Sequence, residues 1–132
     1  MSNYSRPVSP VPAIKDYILQ NWLNRLTSVE NVTLVTAFQN SWANTGGSFL
    51  DAGYYKDPWG RVHLQGTING GSSGTIALTL PEKYRPLGSV SFTVSDSAST
   101  TQVIINTDGE VSITYVSGTP EVHLDSISFR EA

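Results

Sequence analysis

Few residues in this chain could do chemistry, and most of them read as framework. The candidate metal ligands or acid–base groups are His63 and His123 with Asp51, Asp57, Asp96, Asp108, Asp125, Glu82, Glu110 and Glu121. A metal site needs three or four convergent ligands, and no spacing here gathers them. Each histidine falls on the polar face of a candidate strand and reads as a surface residue. Paired carboxylates could run glycoside hydrolysis, but most of these acids sit in turns, where Asp is favoured for backbone reasons. A G-x-S-x-G nucleophile elbow, a P-loop and a dinucleotide fingerprint are all missing from the sequence. Cysteine is absent too, which removes disulfides and thiolate sites. The expectation is a non-enzymatic protein with no metal and no cofactor, working by binding or assembly.

Binding chemistry is better represented. Residues 38–64 gather Phe38, Trp42, Phe49, Tyr54, Tyr55 and Trp59 among Gly, Asn and Asp. Rings beside short polar side chains bind sugars, stacking on the apolar sugar face while Asp and Asn take hydroxyls. They serve equally as core anchors and protein-interface anchors. Trp42, Tyr54, Tyr55 and Trp59 are the candidate ligand-binding residues. Ile14, Tyr17, Ile18, Trp22 and Leu26 recur at helical steps and are the candidates for oligomerisation or attachment. Loops 69–74 and 95–101 are further candidate contact surfaces.

The elements that must position these residues follow from periodicity. Residues 2–12 carry Pro7, Pro10 and Pro12, and proline with its neighbour favours extended backbone. This predicts an extended arm, either free or laid on a neighbouring subunit. Residues 13–26 predict a helix, with Pro12 suited to its first turn and Asp16 near its N-terminus. Its broad apolar stripe packs on its own sandwich or at a symmetric interface.

From residue 32 the period becomes two. Candidate strands are 32–38, 61–68, 75–80, 90–95, 102–107, 110–116 and 122–129. Their core faces are Val62, Leu64 and Ile68; Ile76, Leu78 and Leu80; Val90, Phe92 and Val94; and Val111, Ile113 and Tyr115. In the last strand the phase slips between Leu124 and Ile127, predicting a bulge near Asp125-Ser126. Asp108-Gly109 predicts a tight hairpin. Residues 69–74 predict a longer hairpin loop, and Leu80-Pro81 to Arg85-Pro86 a crossover where the chain could change sheets. Turns at this spacing predict a mainly β protein: an antiparallel β-sandwich or jelly-roll-like domain over 31–132, preceded over 1–30 by the arm and one short α-helix.

Composition narrows the partners. The chain has 132 residues, 39% hydrophobic and 14% charged, with a net charge of −3. No run of Lys and Arg clusters in sequence, so neither nucleic acid nor an anionic membrane surface is an expected partner. The N-terminus lacks the apolar core of a signal peptide, and no apolar stretch approaches the ~20 residues of a membrane span. Synthesis in a cytoplasm without a signal peptide is the expectation.

Taken in order, several motifs resemble a recurring pattern of tailed-phage tail-fibre and appendage proteins. They are Phe38 to Trp42, then Gly53-Tyr54-Tyr55-Lys56-Asp57-Pro58-Trp59-Gly60-Arg61-Val62-His63-Leu64-Gln65-Gly66, and the Gly-rich loop at Gly70. Leu80-Pro81-Glu82-Lys83-Tyr84-Arg85-Pro86, Asp108-Gly109-Glu110-Val111 and Leu124-Asp125-Ser126-Ile127-Ser128-Phe129 complete the set, which covers roughly 38–132. The resemblance implies a virion β-sandwich, usually homotrimeric, that ends an appendage. Such domains usually follow a long shaft; here only an arm and a helix precede it. Two placements follow: a short tail-fibre or tip subunit docked through its N-terminus, binding the host surface, or a capsid decoration protein. Its partners would be copies of itself, other proteins of the baseplate, fibre or capsid, and a host-surface glycan. A free carbohydrate-binding module is the alternative outside the virion.

Overall fold

Alternation along each strand decides where the core lies. In the computed structural model, which describes residues 16–23, 30–96 and 99–132, eleven strands follow a helix at 16–23. They are β1 Thr33–Leu34, β2 Ala43–Asn44, β3 Gly53–Lys56, β4 Arg61–Gln65, β5 Thr67–Asn69 and β6 Thr75–Thr79, then β7 Val90–Ser95, β8 Thr100–Ile105, β9 Glu110–Tyr115, β10 Val122–His123 and β11 Ser128–Arg130. Every pairing is antiparallel. The sheets run β1-β3-β4-β11, β10-β5-β2 and β6-β9-β8-β7, forming an antiparallel β-sandwich. The N-terminal arm, Ile14 and Leu26 lie outside the described residues.

The core follows the period-two reading. Val62, Leu64, Ile68, Val94, Val111 and Ile113 are buried with Val103, Ile105, Val122, Leu124, Ile127 and Phe129 in one cluster. Each fully buried aliphatic side chain contributes about 1.5–3 kcal/mol of transfer free energy. In β6 the register shifts between Ile76 and Leu78, so Ala77 joins Leu78 and Leu80 in the core while Ile76 is half-buried.

The expected strand 32–38 forms only over Thr33–Leu34, β2 and β3 fall outside the expected strands, and three further features differ from the sequence expectations. The phase slip at 125–126 is the step between β10 and β11, which belong to different sheets. It matches a break across the ladder at Gly66, between β4 and β5, where φ is 98°. A Cβ there would collide with the backbone of Asp51 and Ala52, so the paired strands bend where only glycine fits. Asp125 Oδ1 accepts the Gly66 amide at 2.8 Å, and Leu124 N donates to Gly66 O at 2.8 Å.

Residues 69–74 are not a hairpin. β6 pairs with β9, not β5, so this loop carries the chain from one sheet to another. The crossover after Leu80 runs instead from β6 to β7, opposite edges of a single sheet. It includes a 3-10 turn, Glu82–Tyr84. It is tied down where Arg85 Nε donates to Leu80 O at 2.9 Å, and Ala132 N donates to Arg85 O at 2.9 Å. The hairpin at Asp108-Gly109 forms as expected, with Gly109 at φ 89° and the Glu110 amide donating to Asp108 Oδ1 at 3.0 Å.

Candidate binding face

The turn Asp57-Pro58-Trp59-Gly60 joins β3 to β4 and sets what their outer face displays. Asp57 N donates to Arg61 O at 2.9 Å, and Gly60 N to Asp57 O at 3.1 Å. The Asp57 carboxylate caps the turn from inside: its Oδ1 accepts the amides of Trp59 at 2.9 Å and Arg61 at 3.0 Å. Lys56 pairs with Val62 and Tyr55 with His63. Because Val62 and Leu64 point into the core, Arg61, His63 and Gln65 must point outward.

Tyr55 and His63 stack on that outer face, with ring centroids 5.0 Å apart and planes inclined by 10°. His63 Nε2 lies 2.8 Å from Asp57 Oδ2. Burial pushes the Asp57 carboxyl up, but the hydrogen bonds from His63 and from the amides of Arg61 and Trp59 outweigh it and hold the group below its ordinary value of 3.8. On the next strand Ser128 stands opposite His63 and Arg130 opposite Arg61, and an Arg61 Nη donates to Ser128 Oγ at 3.1 Å. Trp59, 65% exposed, closes one end of the face and meets Trp22 of the helix edge-on at 5.4 Å.

The four candidate ligand-binding aromatics do not converge. Trp42 is only 3% exposed and packs in the core. Its Nε1 donates to Thr75 Oγ1 at 3.0 Å, its ring meets Tyr115 edge-on, and Gly71 lies against it. It therefore offers no free ring face to a ligand. Tyr54 and Tyr55 are neighbours on β3 and point to opposite faces. Tyr54 turns inward against Tyr84, centroids 4.7 Å apart. Only Tyr55 and Trp59 remain on the outer face.

Of the attachment candidates, Tyr17, Ile18 and Trp22 lie on the helix and are 69%, 62% and 44% exposed. His123 is half-buried: its Nδ1 lies 2.9 Å from Thr67 Oγ1, and its ring lies against Phe49. Among the described residues, no three His, Asp or Glu side chains gather as a metal site. No helix among them is long and apolar enough to cross a membrane.

On the opposite face of β3, the exposed Glu30 is the hub. Its Oε1 accepts the Tyr84 hydroxyl at 2.7 Å and the Lys56 amide at 2.9 Å. Lys56 Nζ in turn reaches Glu131 Oε2 at 2.8 Å and lies 5.1 Å from the centre of the Tyr84 ring. The hydrogen bond to Glu30, then burial and the neighbouring negative charges, push the Tyr84 hydroxyl up to about 12. Burial, and then Glu30, raise Tyr54 as well.

The pairing of Tyr55, Asp57 and His63 was legible in principle. Reading 53–56 as a strand across a four-residue turn puts all three on one face. The candidate strands left β3 out because Gly53-Tyr54-Tyr55-Lys56 shows no apolar alternation.

A fold of this kind occurs in a phage receptor binding protein. The chain superposes on the crystal structure of the receptor binding protein (gp15) of Listeria phage PSA with a TM-score of 0.65, covering 96% of this chain and 81% of that one at 16% identity. No family model matches the sequence, and no curated protein matches it significantly. At this identity the likeness establishes the architecture.

Proposed function

We propose that this chain is a non-enzymatic virion protein of a tailed phage, a short fibre or tip subunit that presents its β-sandwich for binding to the host surface. The observation that carries this reading is the fold's likeness, over nearly its whole length, to a phage receptor binding protein. The ordered motif set over 38–132 supports it independently. Residues 1–30 attach the domain to other virion proteins and join copies of the chain. The exposure of Tyr17, Ile18, Leu19, Trp22 and Leu23 on one helix supports that role, because a helix with that much open apolar surface gains by being covered. The assembly is a homotrimer, made in the host cytoplasm, whose three identical faces bind by avidity: individually weak sites gain orders of magnitude when engaged together.

Light scattering on a sizing column, followed by antibody labelling of phage particles, tests the reading. The expected results are a trimeric mass and label at the tail tip. A stable monomer together with label over the capsid replaces attachment with decoration. No label on any particle removes the virion role altogether.

A further inference from the structure

The register of β4 and β11 places Arg61 directly opposite Arg130. Both are exposed and stand on the outer face. Like charges directly opposite each other on a sheet are destabilising, so this pair works against the fold. Among the described residues neither guanidinium forms an ion pair; the salt bridges join Lys56 to Glu131 and His63 to Asp57. The nearest acid along the turn, Asp57, is occupied by His63 and by the amides of Trp59 and Arg61. Arg61 is bonded to the neutral Ser128 hydroxyl, and among the described residues neither arginine meets an opposite charge, in a chain whose net charge is −3.

An arginine fork suits a phosphate or carboxylate, and two forks carried by opposed residues of paired strands can converge on one anion once Arg61 gives up Ser128. Next to this pair, Tyr55 stacked on His63 and the exposed Trp59 supply flat apolar surface of the kind that meets a sugar ring. We propose that this face binds an anionic saccharide, with its phosphate or carboxylate between Arg61 and Arg130 and its ring against the neighbouring aromatics. The inference rests on the host-attachment reading and names the ligand class for it. Two cations on a narrow face do not trace a nucleic-acid backbone, which takes a run of phosphate contacts.

The test is biolayer interferometry of the full chain on immobilised phosphomannan (phosphodiester), polygalacturonate (carboxylate), dextran (uncharged) and single-stranded DNA. Binding to one or both anionic polysaccharides and not to dextran is expected, with salt weakening it. Arg61→Gln and Arg130→Gln should each reduce affinity roughly tenfold or more. Arg130→Gln should not lower the melting temperature, because it relieves a repulsion; Arg61→Gln also gives up the bond to Ser128, so it should shift the melting temperature by no more than a few degrees. Which polymer binds distinguishes phosphate from carboxylate. The proposal is overturned if neither anionic polymer binds, if the double variant binds as the unaltered chain does, or if DNA binds as tightly as the saccharides.

Labelling of bacterial cells separates the two readings. If the double variant still labels cells that the unaltered chain labels, attachment stands and the arginine site falls. If the arginine-dependent polymer binding holds but no cell is labelled, the site stands and host attachment falls.

Discussion

Gly71→Ala should be among the most damaging single-methyl changes in this protein. Gly71 lies directly under the indole of Trp42, and a Cβ built there would overlap ring atoms Cδ1, Nε1 and Cε2. The indole has little room to give way: Nε1 is held by Thr75 Oγ1, the ring edge meets Tyr115, and the Tyr115 hydroxyl donates to Gly71 O at 2.8 Å. Overpacking of a fixed core costs about 1–3 kcal/mol. For a domain near 100 residues, ~2 kcal/mol lowers the melting temperature by roughly 10 °C. Thermal melts followed by far-UV circular dichroism measure this directly. A double-mutant cycle isolates the cause. In a Trp42→Leu background the smaller side chain vacates the space, so Gly71→Ala should then be nearly neutral, a coupling of about 1–3 kcal/mol. If Gly71→Ala melts within about 2 °C of the unaltered chain, or loses as much stability in the Trp42→Leu background, the reasoning is refuted and Trp42 is not a locked core residue.

Other consequences are equally direct. The Asp57 carboxyl is held below its ordinary value, so its contribution is fully present above the unfolded pKa near 4 and is lost as pH falls through the folded value. Asp57→Asn should therefore destabilise at neutral pH, and the gap to the unaltered chain should close on acidification; urea titrations across a pH series check this, and a constant gap would refute it. The Tyr84 hydroxyl, pushed up to about 12 by Glu30, stabilises the fold at all pH values below the unfolded pKa near 10, and that contribution is lost as pH rises through the folded value. Absorbance titration at alkaline pH should show a late-ionising tyrosine that moves down in Glu30→Gln; no movement would remove Glu30 as the cause. Removing residues 1–26 keeps Glu30 with its bonds to Tyr84 and Lys56. It should leave a folded sandwich that no longer assembles; an unfolded product by circular dichroism would make the helix part of the core.

The local chemistry was largely legible. Strand alternation identified Val62, Leu64, Ile68, Val111 and Ile113 as core because a period of two admits one buried face. Asp108-Gly109 specified its hairpin because few residues tolerate the required backbone. Periods also marked the slip near Asp125-Ser126, although a phase change looks the same whether a strand bulges or passes to another sheet.

The sequence by itself determined the fold class, the buried face of most of the strands it marked and the Asp108-Gly109 turn, all of which depend on residues within a few positions of one another. Only the tertiary structure decided which strands meet, and hence what the surface presents. Trp42 became core because Thr75 of β6, Tyr115 of β9 and Gly71 in the loop before β6 close around it. Tyr54 and Tyr55, adjacent in sequence, went to opposite faces as the pleat requires. Arg61 and Arg130 are far apart along a chain with no basic run, and they became a charge pair only when β11 docked on β4 in one register. Long-range register is set by the summed burial of whole strands, which is why a site built across it cannot be read from local spacing.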